Sequence, residues 1–195
     1  MVLIDFIKEN KIASIYLSIL FLLIIYITKS NIIFCIFSLL ILQTWSYFSH
    51  RWTHEGLMDP LSNLHLLHHK NQSSLLLEFI VNFIVYGGFI FLPINILLSY
   101  LGKIELFNNY IIIFWSILYS TYHVINYHYK DFESHKMHHV DTTTEFGPPW
   151  MDILFETHNE KINQEKMDSS VINMSIAFII TISSYYYFSD YLTKK

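Results

Sequence analysis

The chain has 195 residues, 53% of them hydrophobic and only 14% charged, with a mean hydropathy of +0.36. Soluble domains carry about a quarter charged residues, so a bilayer accounts for this composition better than an oversized core. A net charge of −4 offers no basic face to phosphates and argues against a nucleic-acid partner, and a single cysteine, Cys35, excludes both an internal disulfide and a thiolate metal site.

Residues 1–11 mix acids and bases ahead of the first apolar run, and no small-residue cleavage motif follows that run, so it reads as a retained helix rather than a signal peptide. Ile12 to Thr28 is uncharged and bracketed by Lys11 and Lys29. At 1.5 Å per residue it spans roughly 25 Å, just enough for a bilayer core. A Lys29-Ser30-Asn31 turn leads into a second run, Ile32 to Phe48, so residues 12–48 are expected to form a first transmembrane hairpin.

Residues 49–74 are polar and carry five histidines. Apolar character returns over 75–127, interrupted by Gly87-Gly88 and Pro93 and containing one acid, Glu78, between Leu75 and Leu101. This stretch is expected to give a second hairpin whose first arm is kinked or ends in an interfacial piece. Residues 128–170 form a second histidine-rich polar segment, and 171–195 hold a last apolar helix, spanning or interfacial. The expected fold is therefore an all-α integral membrane protein: two helical hairpins, a histidine-rich helical cap and a C-terminal apolar helix, all serving one functional domain.

Placing both histidine regions on the side of the N-terminus gathers Lys8, Lys11, Arg51, Lys70, Lys130, Lys136, Lys161 and Lys166 there, against Lys29 and Lys103 opposite. The positive-inside rule then makes the histidine face cytosolic. The membrane would be that of the endoplasmic reticulum in a eukaryote or the inner membrane in a bacterium.

Ten of the eleven histidines fall into two sets, each beginning where an apolar run ends. The first is His50, His54, His65, His68 and His69. The second is His123, His128, His135, His138 and His139. Helix positions three or four apart share a face, so His50 with His54, and His65 with His68 or His69, can point together. His123 and His128 are five apart and share a face only if the helix is distorted. Neutral imidazole is the commonest metal-ligating side chain and suits iron or zinc, whereas calcium and magnesium prefer oxygen. Ten such ligands exceed one four-coordinate structural zinc and point to two metals shared by both halves of the chain. Leu66 and Leu67 would then pack locally. His158, alone, reads as an ordinary hydrogen-bonded residue.

The phrases SHRWTH (49–54), LHLLHH (64–69), YHVINYH (122–128), SHKMHH (134–139) and FGPPWMDILFET (146–157) resemble those of the fatty acid hydroxylase / sterol desaturase superfamily of membrane non-haem di-iron oxygenases. Gly147, Asp152, Phe155 and Thr157 match that family's closing phrase, while Glu156 replaces its usual glycine and Met151 separates Trp150 from Asp152.

The resemblance implies that the ten histidines ligate two irons and that O2 is cosubstrate. It also implies that a membrane lipid (fatty acyl, sphingolipid, sterol or carotenoid) is hydroxylated or desaturated. Carboxylates are expected behind the ligands to fix their tautomers, with Glu55, Asp131, Asp141 and Asp152, and further Asp59 and Glu133, near enough in sequence. The chain carries no flavin or nicotinamide fingerprint, so electrons are expected from a separate b-type cytochrome, or a ferredoxin with its reductase.

Two other classes compete. A haem-binding membrane protein needs few histidines, placed within the bilayer. A metal carrier or sensor needs polar ligands near mid-membrane, where the apolar runs offer little besides Glu78.

Overall fold

A computed structural model describes residues 3–70, 72–102, 104–129, 133–159 and 170–192. The side chains of Leu3, His128, Glu133 and residues 190–192, like the whole of Asp131, lie outside the described residues. The described residues are helical throughout, with no strand. In chain order the helices are α1 (Leu3–Glu9), α2 (Lys11–Thr28), α3 (Ile32–His54), α4 (Leu61–His69), α5 (Leu75–Val81), α6 (Phe91–Gly102), α7 (Asn109–Thr121), α8 (Glu133–Val140), α9 (Pro149–Leu154) and α10 (Val171–Leu192). Two of them run on as π-helices, α5 into Asn82–Tyr86 and α7 into Tyr122–Tyr129.

The ends of these helices are set by local chemistry. Lys29 adopts the left-handed conformation and returns its N–H to the carbonyls of Ile25 and Tyr26, closing α2. Asn31 caps α3 by accepting from Phe34 N (3.1 Å), and Asn108 caps α7 by accepting from Tyr110 N and Ile111 N (3.0 and 3.1 Å). Asn108 also donates through its side-chain amide to Ser30 Oγ (2.8 Å) and through its backbone N–H to Ser38 Oγ (2.8 Å). The α2–α3 turn is thereby fastened to the start of α7.

Helix α7 is the axis of the molecule. Ten consecutive residues, Asn109 to Leu118, are buried, against α10, α3, α6 and the Asn82–Tyr86 segment. The sequence neighbours α2 and α3 meet little beyond their turn; α2 packs chiefly on α10 and α3 on α7. The helices thus pair through a shared central element rather than as two self-contained hairpins.

Helices α2 and α3 and the segment Val171–Ser189 of α10 are long and apolar enough to cross a membrane, and the bent pair Leu75–Tyr86 and Phe91–Gly102, 40° apart, passes together as a fourth. Ile15, Ile19, Leu22, Ile33, Phe37 and Leu40 point out of the protein, an apolar surface larger than soluble monomers present.

The bend frees backbone carbonyls, and side chains satisfy them. Trp45 Nε1 donates to Val85 O (2.6 Å), Ser46 Oγ to Tyr86 O (2.6 Å) and Ser116 Oγ to Gly87 O (2.9 Å). Irregular backbone at membrane depth is tolerated only when buried and paired in this way. Gly87 permits the contact: a Cβ there would lie 2.8 Å from Ser116 Cα.

Candidate metal centre

The first apolar helix to carry histidines does not stop at Phe48. Helix α3 runs on through His54, so His50 and His54 lie one turn apart on its last two turns. The short helix α4 brings His65, His68 and His69, and α8 brings His135, His138 and His139. His123 stands in the π-helical extension of α7. That extension is the distortion needed to bring positions five apart one turn from each other, because π-helical bonding runs from i to i+5. His128 follows at that interval, its side chain outside the described residues.

The imidazoles sort into two groups that cut across the sequence sets. In one, nitrogens of His50, His54, His65 and His138 lie within 4.8 Å of one another. Within it, Nε2 of His65 is 3.2 Å from that of His50 and 2.8 Å from that of His54, and His54 Nε2 is 2.9 Å from His138 Nε2. In the other, His68, His135 and His139 converge, with Nε2 separations of 3.2, 3.1 and 2.9 Å.

His69 bridges the groups. Its Nε2 is 3.0 Å from that of His65, while its ring stacks on His139 at 4.3 Å. His123 is buried beside His68 and His135, with ring centroids 5.2 and 4.9 Å away. Each HxxHH run therefore serves both groups, because positions three and four apart on one helix straddle the gap between them.

The other ring nitrogens settle which way the rings present themselves. His50 Nδ1 lies 2.9 Å from Phe146 O, and His138 Nδ1 2.6 Å from Thr144 O. Carbonyls only accept, so Nδ1 carries the proton and Nε2 turns its lone pair to the group. Tyr127 stacks on His135, centroids 4.1 Å apart and planes 4° apart.

Outside the apolar spans, burial first, with neighbouring imidazoles adding in most cases, holds His65, His69, His135, His138 and His139 below the ordinary histidine value. At neutral pH these rings are uncharged, the form that ligates.

Of the carboxylates anticipated behind the histidines, those within the described residues are placed differently. Asp152, fully buried, touches the loop that supports the ligands: it accepts from Phe146 N (2.8 Å), Gly147 N (2.6 Å) and Thr157 Oγ1 (2.8 Å). Burial pushes its carboxyl up to about 8, with Glu145 adding, while these donors pull it back. Tyr47 OH reaches Thr157 Oγ1 (3.0 Å) and locks the buckle to α3. Glu55 is in an exposed ion pair with Arg51 (2.9 Å), Asp59 accepts from Asn63, and Asp141 accepts from Thr143 N and Oγ1. Asp131 and the side chain of Glu133 lie outside the described residues. His158 pairs with Glu145 (2.8 Å) in the same buckle.

Among the described residues, the acid that reaches one of the clustered histidines is Glu78, its Oε1 3.0 Å from His68 Nδ1. Its signal in the sequence is its solitude in the run LLLEFIV. Leu66 and Leu67, expected to pack locally, are 50% and 37% exposed, because α4 turns its histidine side inward and its leucines outward.

Against the histidines opens a cavity of about 390 Å³. His50, His123 and His135 form part of its wall, and Trp115, Tyr119, Tyr122, Phe146 and Trp150 with Leu17, Leu118 and Met174 supply an aromatic and aliphatic lining. That size and lining are those of a site for an apolar ligand.

Comparison with curated proteins and with solved structures gives no match. The family model for fatty acid hydroxylase matches residues 34–157, from the second residue pair of α3 to the end of the Asp152 buckle. All ten histidines of the two sequence sets fall inside that range, and His158 lies one residue beyond it.

Proposed function

From the premise that this chain belongs to the fatty acid hydroxylase family, we propose that it is a membrane-embedded oxidoreductase that hydroxylates or desaturates the hydrocarbon part of a lipid, with two irons and O2. The observation that carries this reading is the convergence of two sets of Nε2 atoms beside an apolar cavity. Ligands about 2.0–2.1 Å from one ion and at right angles to each other would be roughly 3 Å apart, and the separations run from 2.8 to 3.2 Å. The donor set is all imidazole, which suits iron or zinc rather than calcium or magnesium.

His50, His54, His65 and His138 would hold one ion, and His68, His135 and His139 the other, with His69, His123 and His128 completing the shells. When bound, the pair of irons would supply O2 activation and removal of hydrogen from an unactivated C–H bond. The remaining work falls to the chain. The carbonyls of Phe146 and Thr144 keep His50 and His138 in one tautomer. The cavity walls align an apolar chain past His50, His123 and His135 and keep bulk water out, so that positioning rather than side-chain acid–base chemistry directs the reaction. Electrons would come from a separate b-type cytochrome, or a ferredoxin with its reductase.

The exposed apolar faces of α2, α3 and α10 support a multi-pass location, with the histidine side cytosolic by the distribution of Lys and Arg. Lipid profiles of cells expressing the wild type and His138→Ala test the proposal. A product heavier by one oxygen, or lighter by two hydrogens, is expected only with wild type and only in air. Metal retained with no O2-dependent product would favour a carrier or sensor, and a Soret band in the purified protein would make it a haem protein; either refutes the proposal.

A further inference from the structure

Glu78 occupies an expensive position. It lies in the first turn of α5 within LLLEFIV, part of a segment apolar enough to cross a membrane, with its side chain only 14% exposed. An ionisable group in such surroundings carries a desolvation cost and calls for a specific partner. Its partner is on the page: Oε1 lies 3.0 Å from His68 Nδ1, and Ser73 Oγ donates to the same oxygen. His68 Nε2, on the far side of the ring, faces His135 and His139 at 3.2 and 3.1 Å.

A second observation points the same way. Glu78, His68, His123, Asn82 and Tyr86 line a cavity of about 20 Å³, the space of one water. Into this region two buried polar atoms, His123 Nε2 and Asn82 Oδ1, bring no hydrogen bond of their own, while His68 Nδ1 meets Glu78 at ion-pair distance without an in-line hydrogen bond. Oxygen and nitrogen atoms of His68, Glu78 and His123 lie within 4.8 Å of one another. The carboxylate thus contacts His68 and lies near His123, and both belong to the side of the centre that the carbonyls of Phe146 and Thr144 do not reach.

We propose that Glu78 is the positioning residue of the second histidine group, holding the proton of His68 on Nδ1 and offsetting the charge of the ion that His68, His135 and His139 would bind. The inference rests on the metal-centre reading above and goes beyond it in one respect. The two ion sites become chemically unequal, one backed by neutral carbonyls and the other by a carboxylate. A carboxylate behind an imidazole raises its basicity as well as fixing its tautomer, and losing such a partner typically costs 10–100-fold in metal affinity.

The test loads purified full-length protein with Fe(II) without oxygen and follows iron per chain, competition with a chelator, and the Mössbauer spectrum of ⁵⁷Fe. Wild type is expected to retain two ions in two distinguishable environments. Glu78→Gln, nearly isosteric but uncharged, is expected to hold the second ion 10–100-fold more weakly and to shift one spectral component while leaving the other in place. Glu78→Asp should recover part of the loss, and Ser73→Ala, which leaves the charge but removes its donor, should move affinity the same way by less.

His138→Ala supplies the converse, weakening the first ion. Glu78→Gln that is folded as wild type by circular dichroism, and binds both ions with wild-type affinity and spectrum, overturns the proposal. Should that variant misfold, unchanged second-ion affinity in Ser73→Ala overturns it instead. Wild type that binds no iron sinks the metal-centre reading itself, a result distinct from either.

Discussion

Replacing Asp152 by Asn would probe how far the support of the centre extends from the histidines. Asn keeps the shape and one acceptor, so Oδ1 can still receive Phe146 N and Thr157 Oγ1. The second oxygen becomes an NH2 group facing Gly147 N, 2.6 Å away in the native protein. One hydrogen bond is lost and a buried donor is left facing another donor. With about 0.5–1.5 kcal/mol for the bond and about 1–3 kcal/mol for the orphaned group, the two overlapping, roughly 2–4 kcal/mol of loop stability goes.

That loop carries Thr144 O and Phe146 O, the partners of His138 and His50. The loss should therefore appear as weaker binding at the group formed by His50, His54, His65 and His138, by about 10–100-fold, with the other group spared. Metal analysis after a graded chelator challenge, beside thermal unfolding, measures both. At about 2–4 °C per kcal/mol for a chain of this size, a fall in Tm of about 5–15 °C is expected. An Asp152→Asn protein with wild-type Tm and two equally retained ions would refute the idea that the buckle acts on the ligands through their carbonyls.

Further outcomes can be checked independently. His139→Ala should release the ion opposite to the one released by His138→Ala, read by the same metal analysis; loss of both ions alike from each variant would contradict two groups. Metal-stripped protein should lose stability in mild acid. Burial holds His138, 1% exposed, at about 3 against an ordinary 6.5, so below pH 6.5 the unfolded chain takes up a proton that the folded chain refuses. That stability is complete above about 6.5 and falls as pH drops toward 3, by about 2 kcal/mol at pH 5 from this ring alone. Melting curves independent of pH between 7.5 and 5 would contradict it.

Gly87→Ala should cost about 1–3 kcal/mol, since its Cβ would meet backbone at 2.8–3.0 Å on both helices; an unchanged Tm would mean that α5 and α7 are free to part. Leu17→Trp, which fills the large cavity from α2, should abolish lipid oxidation with metal content intact, and a variant of full activity would move the substrate elsewhere.

The long apolar helices were legible in the sequence because their signal is local: Lys11 and Lys29 bracket α2, and Asn31 opens α3. So were the histidines, whose spacing repeats. Three features were not. The π-helical turns at Asn82–Tyr86 and Tyr122–Tyr129 have no composition signature, although the five-residue gap from His123 to His128 hinted at the second. The packing of α2 on α10 is a contact between the two ends of the chain, invisible to any local pattern. Among the described residues, the carboxylate beside a clustered histidine proved to be Glu78, from the apolar arm. Sequence proximity favoured Glu55 and Asp59, but α3 ends at His54, which leaves both on the surface.

The sharing of α4 and α8 between the two groups ties their occupancy together. In the proposed centre each short helix would be gripped on one side by one ion and on the other side by the second. An ion that seats first orders a helix that the second would otherwise have to order, so the second binds with less conformational freedom left to lose. Each ion should then bind somewhat tighter with its neighbour in place, and by linkage removal of either should loosen the other by the same factor, short of releasing it. Neither half of the chain can build a complete site of its own, and assembly of the centre must wait until residues more than eighty positions apart, His54 and His138 among them, have met.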